Sequence, residues 1–269
     1  LPLPYQSSKI METPRYFYYP DLSIWHSIDP LSDKYPNLTP YAYCANNPVN
    51  FIDPNGMDTV NIMYSTTNNK WEIGNPILAK GDDVYNVTNA DGNTTTYTFT
   101  EGAYNNRMNV ILLEDNLDLD ESFGIFHLSG TTETGFVLQP SSTPKEGDHY
   151  NKAGEYTSYV GKGPRWTNYI GLSGNGAPDG IRIHYGKGRS WSHGYMIISS
   201  EYSSNGNGKK SFNLSKSQEA VWSLAQYAGA TKRESIQMGT STVNGRTIPR
   251  MRDYYTYGTF SAPTITIKK

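Results

Sequence analysis

Beyond Asp58 the apolar and polar positions read as a succession of short strands. Thr59–Tyr64 alternates loosely, and Asn93–Thr100 (NTTTYTFT) combines β-branched and aromatic residues as strands do. The turn Ala90-Asp91-Gly92 precedes that run and predicts a hairpin. Asn109–Leu113 and Gly124–Leu128 are short apolar runs, and Thr264-Ile265-Thr266-Ile267 alternates near the end. In Ile181-Arg182-Ile183-His184 the two isoleucines share one face, and Arg182 and His184 share the other. A glycine-bearing loop follows, then Tyr195–Ile198 reads as a second strand, which is expected to bring His184 and His193 to one sheet edge. One segment has helical spacing instead. Ser215–Gly229 opens with hydroxyl residues, repeats apolar positions at Val221, Leu224, Ala225 and Ala228, and stops at Gly229. The pattern predicts a mainly β fold: an antiparallel sheet, sandwich or barrel-like domain with at least one helix packed on it at about 215–229. Glu114–Glu121 (EDNLDLDE) lacks the glycine and closing glutamate of a calcium loop and reads as a solvated acidic turn.

Composition narrows the class. The chain has 269 residues, 22 of them tyrosine and 25 glycine, which suits strands and turns and supplies ample core material. A net charge of -2 argues against a generic nucleic-acid surface. The single cysteine, Cys44, rules out an intramolecular disulfide. No apolar run approaches the ~20 residues that span a bilayer. The opening LPLPYQSSK lacks an initiator Met and a signal-peptide pattern, and reads as the start of a fragment. Up to Met57 the chain is dense in Pro, Asn, Asp and Tyr, with aromatic strands predicted at Arg15–Tyr19, Tyr41–Cys44 and Val49–Ile52. Some 57 residues of this kind would have little core alone.

That first segment resembles the closing core module of RHS/YD-repeat proteins. Arg15–Tyr19, Asp29-Pro30, Tyr41–Tyr43, Asn46-Asn47-Pro48, Asp53-Pro54 and Gly56 match its arginine–tyrosine strand, turn, N-N-P and DP-x-G elements. Tyr19-Pro20 and Ser23-Ile24-Trp25 depart from it. The resemblance implies residues 1–57 as the end of a β-shell and 58–269 as a C-terminal effector of an exported bacterial protein. It further implies a cognate immunity protein and Asp53 as a candidate autoproteolysis residue, the cut falling near Met57. The alternative is a tight turn at Asp53-Pro54-Asn55-Gly56. An autoproteolytic aspartate needs a second carboxylate, for which Asp29 is a weak match.

A second resemblance covers roughly residues 124–199. Ala153-Gly154-Glu155-Tyr156, Ile181-Arg182-Ile183-His184 and Ser192-His193-Gly194 are similar to the motifs of a small phage and bacterial family, and through it to L,D-transpeptidase (YkuD-like) catalytic domains. Those enzymes attack a peptidoglycan amide with a cysteine thiolate beside a histidine, over backbone N–H groups that stabilise the oxyanion. The cysteine position here is Tyr195, and a phenol, with a reference pKa near 10, is a poor acyl acceptor.

Three readings stay open. The domain is a binding pseudoenzyme. Or it is an enzyme rebuilt around His184 and His193, with Ser190, Ser192 or Tyr195 as nucleophile. Or it holds a metal through the histidines with His127 or His149, although His-x8-His is no recognised zinc spacing. Arg182, Lys187, Arg189 and Trp191 surround the loop as candidate binding residues, the basic ones suited to a carboxylate or phosphate. A solvated basic turn is the plain alternative. The expected function is a secreted antibacterial effector acting on peptidoglycan or another envelope target, without a cofactor. A nuclease effector is the runner-up.

Overall fold

The computed structural model describes residues 58–78, 82–100, 106–161, 169–178, 181–192, 194–243 and 246–269, and before them the backbone of three short strands. Those strands, β1 (Met11–Glu12), β2 (Phe17–Tyr19) and β3 (Ile24–Trp25), form an antiparallel sheet in that order. The strand expected at Arg15–Tyr19 is β2. Those expected at Tyr41–Cys44 and Val49–Ile52 lie outside the described residues, as do Asp29, Asp53 and the junction near Met57.

The chain divides into two compact units. The first is Leu1–Tyr104 with Gly130–Thr132; the second is Asn105–Ser129 with Glu133–Lys269. In the first, β5 (Lys70–Ile73), β4 (Asp58–Ser65), β6 (Asp83–Thr88) and β7 (Thr94–Phe99) form a sheet in that order, with β4 and β6 parallel. The predicted hairpin is β6–β7. Asn89 Oδ1 accepts the N–H groups of Asp91 and Asn93 at 3.0 Å each, and Gly92 takes the φ of +82° that the turn requires. Tyr85 and Phe99 meet edge to face at 5.2 Å across the buried side.

The second unit is a closed eight-stranded barrel. Its strands are β8 (Arg107–Asn116), β9 (Glu121–Leu128), β10 (Thr134–Gln139), β11 (Gly154–Gly161), β12 (Tyr169–Ser173), β13 (Arg182–His184), β14 (Met196–Ser199) and β19 (Thr264–Lys268). The order around the ring is β10-β14-β13-β12-β11-β19-β8-β9. Neighbours are antiparallel except β13 with β14 and β19 with β8. Alternate side chains from every strand, such as Val110, Phe126, Val137, Ile170, Ile183 and Ile265, converge on one core. Closure leaves this sheet no edge strand. Between β14 and β19 lie the short hairpin β15 (Ser203–Ser204) and β16 (Lys210–Ser211), a helix, and a long ribbon of β17 (Ala230–Val243) and β18 (Arg246–Tyr257).

Helix α1 (Leu214–Tyr227) starts one residue earlier than expected, because Asn213, not a hydroxyl, caps it: its Oδ1 accepts the Ser215 N–H at 3.0 Å. Ala220, Val221, Leu224 and Ala225 join the barrel core, the face that the spacing predicts. Gly229 ends the helix at φ +95°, where an added Cβ would lie 2.1 Å from the Thr259 carbonyl oxygen. The fold class is therefore as expected, mainly β with one helix, and the barrel is its realised form.

The acidic stretch does turn the chain, with Leu117 and Asp118 exposed at its tip, but it is not solvated throughout. Its ends belong to β8 and β9, and several of its carboxylates serve internal partners. Asp115 Oδ1 accepts from Ser122 Oγ at 2.7 Å and from the Ser142 N–H at 3.0 Å, while Glu121 Oε1 accepts the Lys210 N–H at 2.8 Å. Asp120 and Glu121 are buried. Hydrogen-bond partners from distant segments pull these carboxylates inward, and local sequence does not reveal them.

Leu224 is fully buried where α1 meets the barrel core. Leu224→Ala should cost about 2–5 kcal/mol. In urea titration the midpoint should fall with little change in slope.

Candidate functional site

The opening of the site is the connection from β13 to β14. These strands are parallel neighbours, His184 opposite Ile197 and Ile183 opposite Met196. Residues 185–195 must therefore carry the chain from one end of the pair back to the other. The segment does so through a 3-10 turn at Arg189–Trp191. Ser217 of α1 ties its start to β14: its Oγ accepts the Gly186 N–H at 3.0 Å and donates to the Ile198 carbonyl at 2.5 Å.

Arg189 holds the middle. Its Nε donates to the Asp120 carbonyl at 2.6 Å, and its Nη2 reaches Asp120 Oδ2 at 2.6 Å and also Asp148 Oδ2. Its Nη1 donates to the Ser192 carbonyl. Expected at the rim as a ligand-binding cation, Arg189 is instead buried and saturated by internal carboxylates. Lys187 and Trp191 do face solvent, Trp191 at 43% exposure. Ser192 is buried, and its Oγ donates to the Tyr195 carbonyl at 2.5 Å, which turns its hydroxyl toward the backbone. His193 lies outside the described residues.

Arg182, His184 and Tyr195 come together. The Arg182 guanidinium sits 4.5 Å from the Tyr169 ring centre and 4.7 Å from that of Tyr195, a cation held between two aromatic faces. Its Nη2 donates to Tyr195 Oη at 3.3 Å. The His184 and Tyr195 rings meet edge to face with centroids 5.3 Å apart. The glycine of Ser192-His193-Gly194 has a local reason. Gly194 adopts φ +103°, and a Cβ there would come 2.7 Å from Cβ of His149. Asn151 Nδ2 donates to the Gly194 carbonyl at 3.3 Å and to Gln139 Oε1 at 2.8 Å, fixing Gly194 just before β14.

Next to His184 lies a narrow cavity of about 30 Å³, room for one or two waters. Strands β12 and β13, helix α1 and the base of β18 line it. Tyr169, Tyr185, Arg252, Asp253, Tyr255 and Tyr257 escaped sequence reasoning, since they share no motif with His184. Burial raises the pKa of the Tyr185, Tyr255 and Tyr257 phenols, so all three stay protonated at neutral pH. Asp253 pairs with Arg233 at 2.9 Å.

His184 is 3% exposed and its Nδ1 lies 2.6 Å from the Tyr185 carbonyl oxygen, which places the proton of the neutral ring on Nδ1 and leaves Nε2 basic. Burial, aided by the Arg182 and Arg252 charges, lowers its pKa to about 4. Among the described residues, no group of His, Cys, Asp or Glu is placed to hold a metal ion. His127 is on β9 and buried; His149 packs against Gly194.

Comparison with known proteins finds no match: no protein-family model, no curated protein and no solved structure resembles the chain significantly. The RHS and L,D-transpeptidase likenesses rest on the motifs alone.

Arg189→Met should leave the buried Asp120 and the half-buried Asp148 without their cation and cost about 3–5 kcal/mol, read as a lower unfolding midpoint. His184 gives a pH signature. Its folded pKa lies below the unfolded value of 6.5, so its contribution is complete above pH 6.5 and is lost as pH falls toward about 4. Stability should drop by about 3 kcal/mol across that window. Against the wild type, His184→Leu should flatten that part of the stability–pH curve.

Proposed function

We propose that the chain is the terminal part of an exported RHS-type protein, and that the unit from Asn105 onward is an envelope-directed effector that binds peptidoglycan without acyl transfer. One observation carries the reading: Tyr195 stands where the likeness puts a cysteine nucleophile, and its phenol is engaged by Arg182 while its ring rests against His184. Acyl transfer of the transpeptidase kind needs a thiolate and a histidine that accepts its proton. A stacked arginine with aromatic neighbours suits the recognition of a peptide carboxylate, which peptidoglycan stems carry.

A second reading, general-base catalysis, is favoured by His184, which lines the cavity with its proton fixed on Nδ1 by the Tyr185 carbonyl and a lone pair on Nε2. The two readings separate in one experiment. Purified protein is mixed with peptidoglycan sacculi, and both co-sedimentation and soluble muropeptides are measured. Binding predicts co-sedimentation without muropeptide release, weakened about tenfold by Tyr195→Ala and largely retained by His193→Ala. Release of muropeptides by the wild type, lost in His193→Ala or His184→Ala, would overturn the binding reading in favour of an enzyme. Degradation of added nucleic acid would instead favour a nuclease.

A further inference from the structure

The antiparallel ribbon β17–β18 departs from the barrel core at Ala230 and rejoins it at Tyr255. At about 3.3 Å per residue its strands run roughly 40 Å. Beyond the base its residues are largely exposed on both strands. Among the described residues β17 and β18 pair only with each other, so each keeps an outer edge.

The charges along the ribbon are arranged in two zones. At the base they are matched, Arg233 with Asp253 at 2.9 Å and Lys232 with Glu234 at 2.7 Å. From Ser235 to Arg252 there is no carboxylate, and the sequence carries Arg246, Arg250 and Arg252. Alternation sets Arg246, Ile248 and Arg250 on one exposed face of β18, while Arg252 in the same row lines the cavity beside His184 and is not part of that docking face. Across the ribbon, Ile236 opposes Arg252, Ser241 opposes Ile248, and a bulge at Met238-Gly239 opposes Arg250. The apolar side chains are as telling as the arginines. Ile236, Met238, Ile248 and Met251 are 38–48% exposed, and they make up most of the large exposed apolar residues in the described chain.

The two edges differ. On β18, Pro249 offers no N–H to a further strand, and arginines flank it. On β17, Ser235–Val243 has neither a proline nor a charge, and among the devices that blunt an exposed edge it carries only the bulge at Met238-Gly239. We infer that β17 is a docking edge for a partner protein, which adds an extended segment carrying apolar residues at its centre and carboxylates directed at the arginine face. Main-chain hydrogen bonds to β17 supply the register, and the arginines select an acidic partner.

Other occupants fit less well. Arginine mixed with exposed methionine and isoleucine matches protein interfaces, whereas nucleic-acid interfaces are more polar and more strongly basic. The chain's net charge of -2 supplies no long-range attraction for a polyanion. A second copy would bring a second arginine face to the first.

The test uses three labelled probes: a short peptide of alternating Glu and Val, the same peptide with Lys in place of Glu, and duplex DNA. Fluorescence anisotropy reads binding and amide hydrogen exchange reads protection. The inference expects the Glu–Val peptide to bind and to slow exchange across Ser235–Val243, while the Lys–Val peptide does not. Arg246→Glu with Arg250→Glu should weaken the Glu–Val peptide about tenfold or more. Both positions are exposed, so the variant should keep the wild-type circular dichroism and melting temperature. No protection at β17, binding of both peptides alike, tighter binding of the duplex, or a concentration-dependent dimer in sedimentation that the double substitution abolishes would each overturn it. None of these readouts involves peptidoglycan, so failure here leaves the binding reading of the barrel site untouched.

Discussion

The buried ion cluster of Arg189 with Asp120 and Asp148 organises the end of the barrel that carries the candidate site. The charges of Arg189 and Asp120, removed from water with the half-buried Asp148 beside them, cost several kcal/mol each unless their geometry and remaining hydrogen bonds compensate. Here the guanidinium binds two carboxylates and two carbonyls, Asp120 and Ser192 supplying the latter. The result joins three parts of the chain that lie far apart in sequence: the β8–β9 turn, the segment after β10, and the connection from β13 to β14. Parallel strands ordinarily need a crossover of about a dozen residues or more. Residues 185–195 are near that lower limit, and Arg189 anchors the crossover near its middle, while Ser217 ties its start to β14.

Everything at the site inherits its position from that crossover. Ser192 faces inward because Arg189 holds its carbonyl, and its hydroxyl then meets the Tyr195 carbonyl. Gly194 passes against His149 where no side chain fits. Tyr195 emerges half-buried, placed to stack on Arg182, which Tyr169 supports from its other face. The motif residues that look catalytic on paper therefore divide by their partners. Ser192 and Arg189 hold the scaffold together. Arg182, His184 and Tyr195 form the aromatic and cationic cluster beside the cavity.

Much of the fold was legible in the residues. The alternation of Thr264–Ile267 marks β19, the β-branched run before Thr100 marks β7, and Val221, Leu224 and Ala225 face the core as their spacing implies. The glycine after Ala228 ends the helix at the expected place. The site was legible only in part. That Ile181–His184 and the run after Gly194 are both strands was anticipated, but not that they pair side by side in parallel. Arg189 looked like a surface cation because its carboxylate partners lie 41 and 69 positions away. The same is true of EDNLDLDE, whose partners include Ser142, Lys210 and Arg189.

By itself the sequence determined the β character, a helix with its buried face, and the identity of Tyr195 after Ser192-His193-Gly194. These are local properties: side-chain periodicity and residue identity suffice to read them. Tertiary structure alone decided that the sheet closes into a barrel, that β18 supplies the wall of the cavity beside His184, and which charges are buried. Closure requires β19 to lie parallel to β8 and antiparallel to β11, contacts between segments more than a hundred residues apart. The pKa of His184 likewise follows from burial under groups brought there by the fold, and no property of the motif itself encodes it.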